Sequence, residues 1–248
     1  MADAAVEVAG VTVVLGGRPV LSDVSLEFEA GRIHGVIGRG GSGKTVLLKT
    51  VATLIAPRSG SVTLFGARVR FEDRDGLRAL RSRIGMQFQN LALFDFLDIA
   101  ENVAFPVMQR PDPPPRESVE AEVRSLLRAV GLAGTERLRV HELSGGMQRR
   151  VAMARAVMGR PDLCIHDDPT AGLDPVNSSR IFALIRAIQR ERGTTVLVAS
   201  QDVDRLIRIC DRIHVLEEGR VVFSGDLSDF RRVSDPRIRL FLEADAAP

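Results

Sequence analysis

Residues 38–45 read "GRGGSGKT". The pattern G-x-x-x-x-G-K-[ST] is satisfied, with Gly38 and Gly43 as its fixed glycines and Lys44-Thr45 as its end. The apolar run "RIHGVIG" leads into it and predicts a strand. "KTVLLKTVATLI" follows it and predicts a helix, stopped by Pro57 and the "PRSG" turn. Glycines let backbone N–H groups approach phosphate oxygens, and a helix N-terminus adds a favourable dipole. Gly38, Arg39, Gly40, Gly41, Ser42 and Gly43 are therefore expected to cradle phosphates. Lys44 would bridge the β- and γ-phosphates, and the Thr45 hydroxyl would ligate Mg²⁺. The same stretch fits G-x-G-x-x-G through Gly38, Gly40 and Gly43, a dinucleotide pattern that needs an acid about 20 residues on. From Lys44 to Phe71 there is no Asp or Glu. The phosphate-loop reading stands.

A second stretch, "LCIHDDPTAGLD" from Leu163 to Asp174, ends an apolar strand in two adjacent carboxylates. Such a pair needs a nearby cation, and the phosphate loop supplies one. Asp167 is expected to hold the Mg²⁺ bound by Thr45. Asp168 is then the candidate to position or deprotonate an attacking water, against the blander role of capping the next turn.

The 248 residues suffice for a sizeable core, and 45% hydrophobic with 27% charged content is ordinary for a globular chain. Net charge is +2, from 34 basic and 32 acidic residues, which argues against a nucleic-acid mantle. Cys164 and Cys210 lack zinc spacing and read as reduced, buried thiols. No apolar run approaches the roughly 18 residues of a membrane span, so a cytoplasmic location is expected, with any membrane role reached through partners.

Strands are predicted for "VEVAGVTVVL" and "VLSDVSLEF" around the turn Gly16-Gly17-Arg18-Pro19. "ESVEAEVRSLLRAVG" carries Val119, Val123, Leu126, Leu127 and Val130 at helical spacing, with Gly131 as its C-terminal stop. "RPDPPPRE" before it reads as a surface loop. Beyond Pro161, "DLCIHDD" and "TTVLVAS" read as strands, and "VNSSRIFALIRAIQRER" and "DVDRLIRICDR" as helices. "RIHVLEEGRVVFSG" reads as two strands about a Glu-Gly turn. The expected organisation is a core at 1–90 and 159–225, a helical insertion at 91–158, and a tail at 226–248.

"LSGGMQRRVAMARA", Leu143 to Ala156, makes Ser144-Gly145-Gly146 a second anion-binding helix N-terminus. Here the chain resembles the ABC-type ATPase family over nearly its whole length. The matches fall in family order: the phosphate loop, Gln89 in "MQFQN", "LSGGM", the strand ending at Asp167, and "AGLD" (Ala171–Asp174). The resemblance implies a P-loop α/β fold with a mixed β core, an antiparallel N-terminal β region and a helical insertion subdomain. It also implies a head-to-tail dimer. Each ATP would lie between the phosphate loop of one subunit and Ser144-Gly145-Gly146 of the other, with Gln89 touching Mg²⁺ and linking the site to a membrane-embedded permease.

Three positions depart from the family pattern. Asp168 stands where Glu is usual, one carbon–carbon bond of about 1.5 Å shorter. Gln201 stands where a histidine is usual, and it can donate a hydrogen bond but carry no proton charge. His166 and His214 lie inside predicted strands and do not substitute. Leu15 stands where an aromatic often stacks on adenine, an interaction worth roughly 1–3 kcal/mol of which Leu recovers part. Together Asp168 and Gln201 suggest a slow or degenerate ATP site, in a homodimer or beside a different ATPase chain. A non-hydrolysing regulatory subunit is the alternative.

Within the family, Arg83–Pro106 ("RIGMQFQNLALFDFLDIAENVAFP"), Met147 and the tail Ser234–Pro248 resemble the ATPases of lipid-asymmetry (Mla-type) systems, which work with MCE-type lipid-binding proteins. That implies a place on the cytoplasmic face of the inner membrane and a phospholipid or similar cargo. Phe94, Phe96 and Leu97 would meet the permease. Ile238, Leu240, Phe241 and Leu242 form an amphipathic segment for a partner or for its own domain.

Overall fold

The computed structural model describes residues 4–243, with no side-chain description for residues 240, 242 and 243. The chain opens with two long strands, β1 (Ala4–Leu15) and β2 (Arg18–Glu29). They are joined by Gly16-Gly17 alone, at φ 56° and 77°. Two left-handed glycines match the twist of a tight hairpin, so Arg18 and Pro19 fall inside β2 rather than in the turn. The wholly buried β3 (Ile33–Ile37) follows and leads through the glycine loop into α1 (Lys44–Val51).

Helix α1 ends at Val51, four residues before the sequence pattern suggests. Thr53 turns left-handed at φ 62°, and the Leu54 and Ile55 N–H groups both return to the Lys49 carbonyl, at 2.8 and 3.3 Å. Arg81 holds this bend by donating to Thr53 Oγ1 and to the Thr53 carbonyl. Next come β4 (Ser59–Leu64), β5 (Ala67–Arg68), α2 (Arg74–Arg81) and β6 (Ile84–Gln87). Helix α2 is absent from the sequence reading; its N-cap Asp73 accepts from the Gly76 N–H at 2.9 Å.

The middle of the chain is helical: α3 (Ile99–Met108), α4 (Arg116–Ala129), a 3-10 turn at Val140–Glu142, and α5 (Gly145–Val157). Asp98 and Glu101 form a reciprocal capping box at the start of α3. Gly131, at φ 68°, sends its N–H to the Arg128 carbonyl while Leu132 returns to Leu127, a glycine stop of the expected kind. The alternation then resumes with β7 (Leu163–Asp167), α6 (Pro175–Arg192), β8 (Thr195–Ala199) and α7 (Val203–Ile207). It closes with β9 (Arg212–Glu217), β10 (Arg220–Asp226), α8 (Leu227–Arg232) and α9 (Pro236–Glu243). Helix α7 is shorter than its pattern. The Ile209 and Cys210 N–H groups bond back to the Leu206 carbonyl, and Asp211 turns away to bond the Ile33 carbonyl and N–H in β3.

The strands form two sheets. An antiparallel sheet runs β2-β1-β4-β5, and a mixed sheet runs β10-β9-β3-β8-β7-β6 with all but β10 parallel. Leu47, Leu48 and Val51 of α1 pack into one core with Val6, Phe28, Val36 and Ile165. A second core joins the other face of the mixed sheet to α3–α6. In α9, Ile238 is 2% exposed within that second core and Phe241 packs against it, so the described tail docks on its own domain. The side chains of Leu240 and Leu242 lie outside the described residues.

His34 and His214 meet on neighbouring strands at 3.1 Å, with Phe28 edge-on to both. His34 Nε2 must donate to the Glu29 carbonyl, so its Nδ1 accepts from His214 Nε2–H, and His214 Nδ1 accepts from Ser224 Oγ–H. The chain is satisfied only when both rings are neutral. Burial pushes His34 down to about 4, and burial with its neighbour's charge pushes His214 down to about 3. Both folded values lie below the unfolded value, so the unfolded chain binds more protons and stability falls as pH drops below about 6.5. Urea unfolding midpoints are expected to fall between pH 7.5 and 5.5, with each uncharged histidine contributing about 1 kcal/mol per pH unit below 6.5. An unchanged midpoint would contradict this.

Candidate active site

The glycine loop leaves the buried end of β3 with no room to its sides. A Cβ at Gly38 would stand 2.2 Å from the Leu216 carbonyl oxygen, and one at Gly43, φ 103°, would stand 2.8 Å from Leu21 Cδ2. At Gly40 and Gly41 the space is open. Gly43 gives α1 no side-chain cap, and the helix has no acid in its first turn, so its leading N–H groups point into the opening. Ser42 is buried and its Oγ has no partner. These unmet donors and the open cradle fit a phosphate chain.

Lys44 Nζ donates to the Gly38 and Arg39 carbonyls, at 2.7 and 3.0 Å. Burial draws its pKa down, against the opposing pull of Asp168 and Asp167. Thr45 Oγ1 donates to Asp167 Oδ1 at 3.0 Å, across 122 residues of sequence. That hydroxyl–carboxylate pair is the donor set an octahedral Mg²⁺ would require beside a phosphate, so the residues fit the ion. Burial raises the Asp167 carboxyl, and the Thr45 bond opposes it.

Asp168 sits at φ 49°, a left-handed position that Asp tolerates, with its N–H on the Ala199 carbonyl at 2.8 Å. Its carboxylate accepts from Ser200 Oγ at 3.4 Å. The next turn is closed by its main chain, Ala171 N–H to the Asp168 carbonyl at 3.2 Å, and not by its side chain. Burial raises its pKa, opposed first by the Ser200 hydrogen bond and then by Lys44 and Arg149.

A cavity of about 270 Å³ brings Gly40 to Thr45, Gln89, Asp167, Asp168 and Gln201 together. Leu15 is not on its wall; it stands 43% exposed at the end of β1, while Val20 lines the cavity. Ser144 caps α5 by accepting from the Met147 N–H at 3.3 Å. With Gly145 and Gly146 it borders a different cavity, of about 690 Å³, alongside Gly172, Asp174 and Arg149. One chain therefore presents two separate cavities, one at the glycine loop and one at the start of α5. His166 donates Nδ1–H to Gln87 Oε1 at 2.8 Å inside the sheet, and His214 bonds Ser224, so neither histidine reaches the cavity.

Sequence reading passes over several residues that shape the site. Val46 lines the cavity with no hydroxyl to offer. Ser200 binds Asp168 through its hydroxyl, and that hydroxyl also accepts the Asp202 N–H at 3.1 Å. A serine immediately before Gln201 was the available signal. Arg149, whose Nη1 is buried without a partner, faces Asp168 electrostatically; nothing in a single sequence marks it.

A buried parallel strand, a glycine loop with unmet donors and a carboxylate–hydroxyl pair define a nucleoside-triphosphatase of the P-loop class. The profile of the family described as ABC transporter matches residues 21–171, and the chain belongs to that family. It is 38% identical over 236 residues to the methionine import ATP-binding protein MetN of Caulobacter vibrioides, covering 94% of this chain and 70% of that protein. It is 34% identical over 241 residues to the intermembrane phospholipid transport ATP-binding protein MlaF of Escherichia coli, covering 97% and 89%. Among solved structures it resembles the dimeric cassette MJ0796, with TM-score 0.82, 29% identity and coverage of 90% and 98%. It also resembles cbiO1 of Clostridium perfringens, with TM-score 0.83, 26% identity and coverage of 98% and 96%. MJ0796 has also been solved as a post-hydrolysis dimer bound to ADP and Pi, again with TM-score 0.82 and 29% identity. The chain is an ATP-binding, ATP-hydrolysing subunit that pairs as a dimer and is coupled to transport. Among the described residues no helix is long and apolar enough to cross a membrane.

Because Ser200 is the first influence holding the Asp168 carboxyl down, Ser200→Ala should raise that pKa further. The acid limb of the kcat–pH profile is expected to move to higher pH; an unmoved limb would detach Asp168 from the rate.

Proposed function

We propose that this chain is the slow-hydrolysing motor of a transporter for phospholipid or a similar hydrophobic molecule, acting at the cytoplasmic face of the inner membrane. The observation that carries the slow rate is the pairing of Asp168 and Gln201 on one cavity wall. Asp168 positions or deprotonates the attacking water from a left-handed backbone. Gln201 donates a hydrogen bond toward the γ-phosphate. Lys44 leaves the Gly38 and Arg39 carbonyls to hold the β- and γ-phosphates, and the loop from Gly38 to Gly43 wraps them. Leu15, exposed at the end of β1, offers the adenine an apolar face. Thr45, Asp167 and Gln89 would hold Mg²⁺, which when bound offsets phosphate charge. Ser144, Gly145 and Gly146 complete the site of the opposing chain, whether a second copy or a different ATPase.

Residues 1–90 and 159–225 form the catalytic core in this reading, 91–158 the helical subdomain and 226–248 the tail. The permease docks beside Gln89. Phe94 packs on Phe105 at 4.5 Å and on Phe96 at 5.6 Å between ring centroids, and Phe96 is 75% exposed. An apolar opening of about 350 Å³ is lined by Phe94 and Phe105 together with Met86, Phe88 and Ala92. Leu97 lies on the same loop. The lipid cargo and an MCE-type partner are supported by the likeness to MlaF and by the Arg83–Pro106 stretch. Methionine import is the second reading, favoured by the 38% identity to MetN.

Two measurements test these readings. With the native complex captured through this chain, Asp168→Glu/Gln201→His is expected to raise phosphate release by about 10–100-fold, part of the roughly 10²–10⁴-fold that general-base assistance supplies. Brisk wild-type turnover that the double substitution leaves unchanged would make the chain an ordinary motor. Turnover of the reconstituted complex should respond to phospholipid-loaded partner protein and not to L-methionine; the opposite response would sink the lipid assignment.

A further inference from the structure

Arg155 lies in the last turn of α5, the helix that Ser144 caps, and is 7% exposed. Its guanidinium has no carboxylate partner among the described residues. It donates Nη1–H to the Ala92 carbonyl at 2.6 Å and Nη2–H to the Leu91 carbonyl at 2.5 Å. The Phe94 ring lies 6.0 Å from the same group. A buried cation satisfied by neutral carbonyls is costly, and burial accordingly draws its pKa down.

What it holds is unusual. Leu91 and Ala92 are consecutive left-handed residues, at φ 61° and 48°, and neither is glycine, asparagine or aspartate. Side chains with a Cβ resist that conformation. The local bonds available are short-range, Leu91 N–H to the Phe88 carbonyl at 2.9 Å and Ala92 N–H to the Asn90 carbonyl at 2.7 Å. The planar fork of arginine suits two adjacent carbonyls, which the point charge of lysine does not. Just beyond, Asn102 of α3 accepts from the Phe94 N–H at 2.8 Å and donates to its carbonyl at 3.0 Å. Gln89, on the wall of the nucleotide cavity, is two residues before the strained pair.

We propose that Arg155 is a positioning residue that fixes Gln89 by clamping the Leu91–Ala92 kink, tying α5 to the metal-facing side of the same subunit's ATP site. The inference rests on the reading that Gln89 faces Mg²⁺. Movement of α5 then carries the Gln89 loop with it, through two hydrogen bonds rather than through the hydrophobic core.

The test compares Gln89→Ala, Arg155→Met, Ala92→Val and Ala92→Gly in the assembled complex. The readouts are the Mg²⁺ concentration that half-saturates ATP hydrolysis and amide exchange over residues 88–94. Ala92 is exposed, so its valine variant leaves the core and Arg155 intact while opposing the left-handed backbone. Ala92→Val is expected to raise the Mg²⁺ requirement by about tenfold, the scale that left-handed strain sets, with kcat recovered at saturating Mg²⁺. Arg155→Met should shift it the same way and speed exchange across the loop, and Ala92→Gly should leave both readouts at wild type. If Gln89→Ala raises the requirement while folded Ala92→Val and Arg155→Met do not, the clamp is overturned. If Gln89→Ala changes nothing, the metal reading of Gln89 fails, and exchange alone judges the clamp. Faster exchange in Ala92→Val then supports it and wild-type exchange overturns it. Should Arg155→Met not fold, Ala92→Val decides.

Discussion

Strand β3 passes β9 and α7 so closely that neither end of the contact admits a side chain. A Cβ at Gly35 would stand 2.8 Å from Cys210 Sγ, and the Leu216 carbonyl closes on Gly38 in the same way. That approach delivers the glycine loop to the C-terminal end of a buried interior strand, with main-chain donors facing outward. Every other feature of the site answers to it. Lys44 folds onto two carbonyls of the loop, Ser42 keeps an unmatched hydroxyl, and Thr45 turns to Asp167. The strand that carries Asp167 is itself wholly buried, two places along the sheet from β3, so both carboxylates are pushed upward in pKa by the same dryness. The site is under-satisfied where phosphate and a divalent cation would complete it.

Much of this was legible because it depends on local rules. Strand, glycine loop and helix follow one another within about twenty residues, and the twin acids end a run whose burial follows from its apolarity. The hairpin at Glu218-Gly219 and the stop at Gly131 were equally local. What escaped depended on distance. Helix α1 stops at Val51 because Arg81, from α2, holds Thr53 in a bend that no neighbour of Thr53 announces. Arg155 reads in sequence as one cation in a basic, alanine-rich helix, yet it is buried against carbonyls 63 and 64 residues away. Asn102 likewise reads as a polar helix residue, while the fold buries it fully against the Phe94 backbone. Pattern gives the period of an element, and the partner of a buried polar group comes only with the tertiary arrangement.

The two cavities differ in what their residues offer a phosphate. Ser144, Gly145 and Gly146 keep the cap and the open N-terminus that a facing phosphate needs. At the other cavity, Asp168 and Gln201, the two departures from the family pattern, lie beside Ser200, whose hydroxyl serves Asp168 and the Asp202 N–H at once. The three residues from Ser200 to Asp202 thus form one polar turn against the acid.

If Asp168 is the residue that handles the attacking water, as proposed, it meets two opposing effects. Its side chain is one methylene shorter than glutamate, so the water must come closer to the strand or be held at longer range. Against that, burial raises its pKa, which makes it a stronger base once ionised. Basicity enters the rate through a fractional Brønsted exponent, whereas misplacement by about an ångström can cost on the order of a hundredfold. Reach therefore outweighs basicity. The remaining variable is the left-handed backbone at φ 49°, from which Asp168 lines the cavity. Gln201 offers no proton charge to recover the difference. In the proposed reading, the loop then holds the phosphates while the short acid and the uncharged Gln201 make hydrolysis slow.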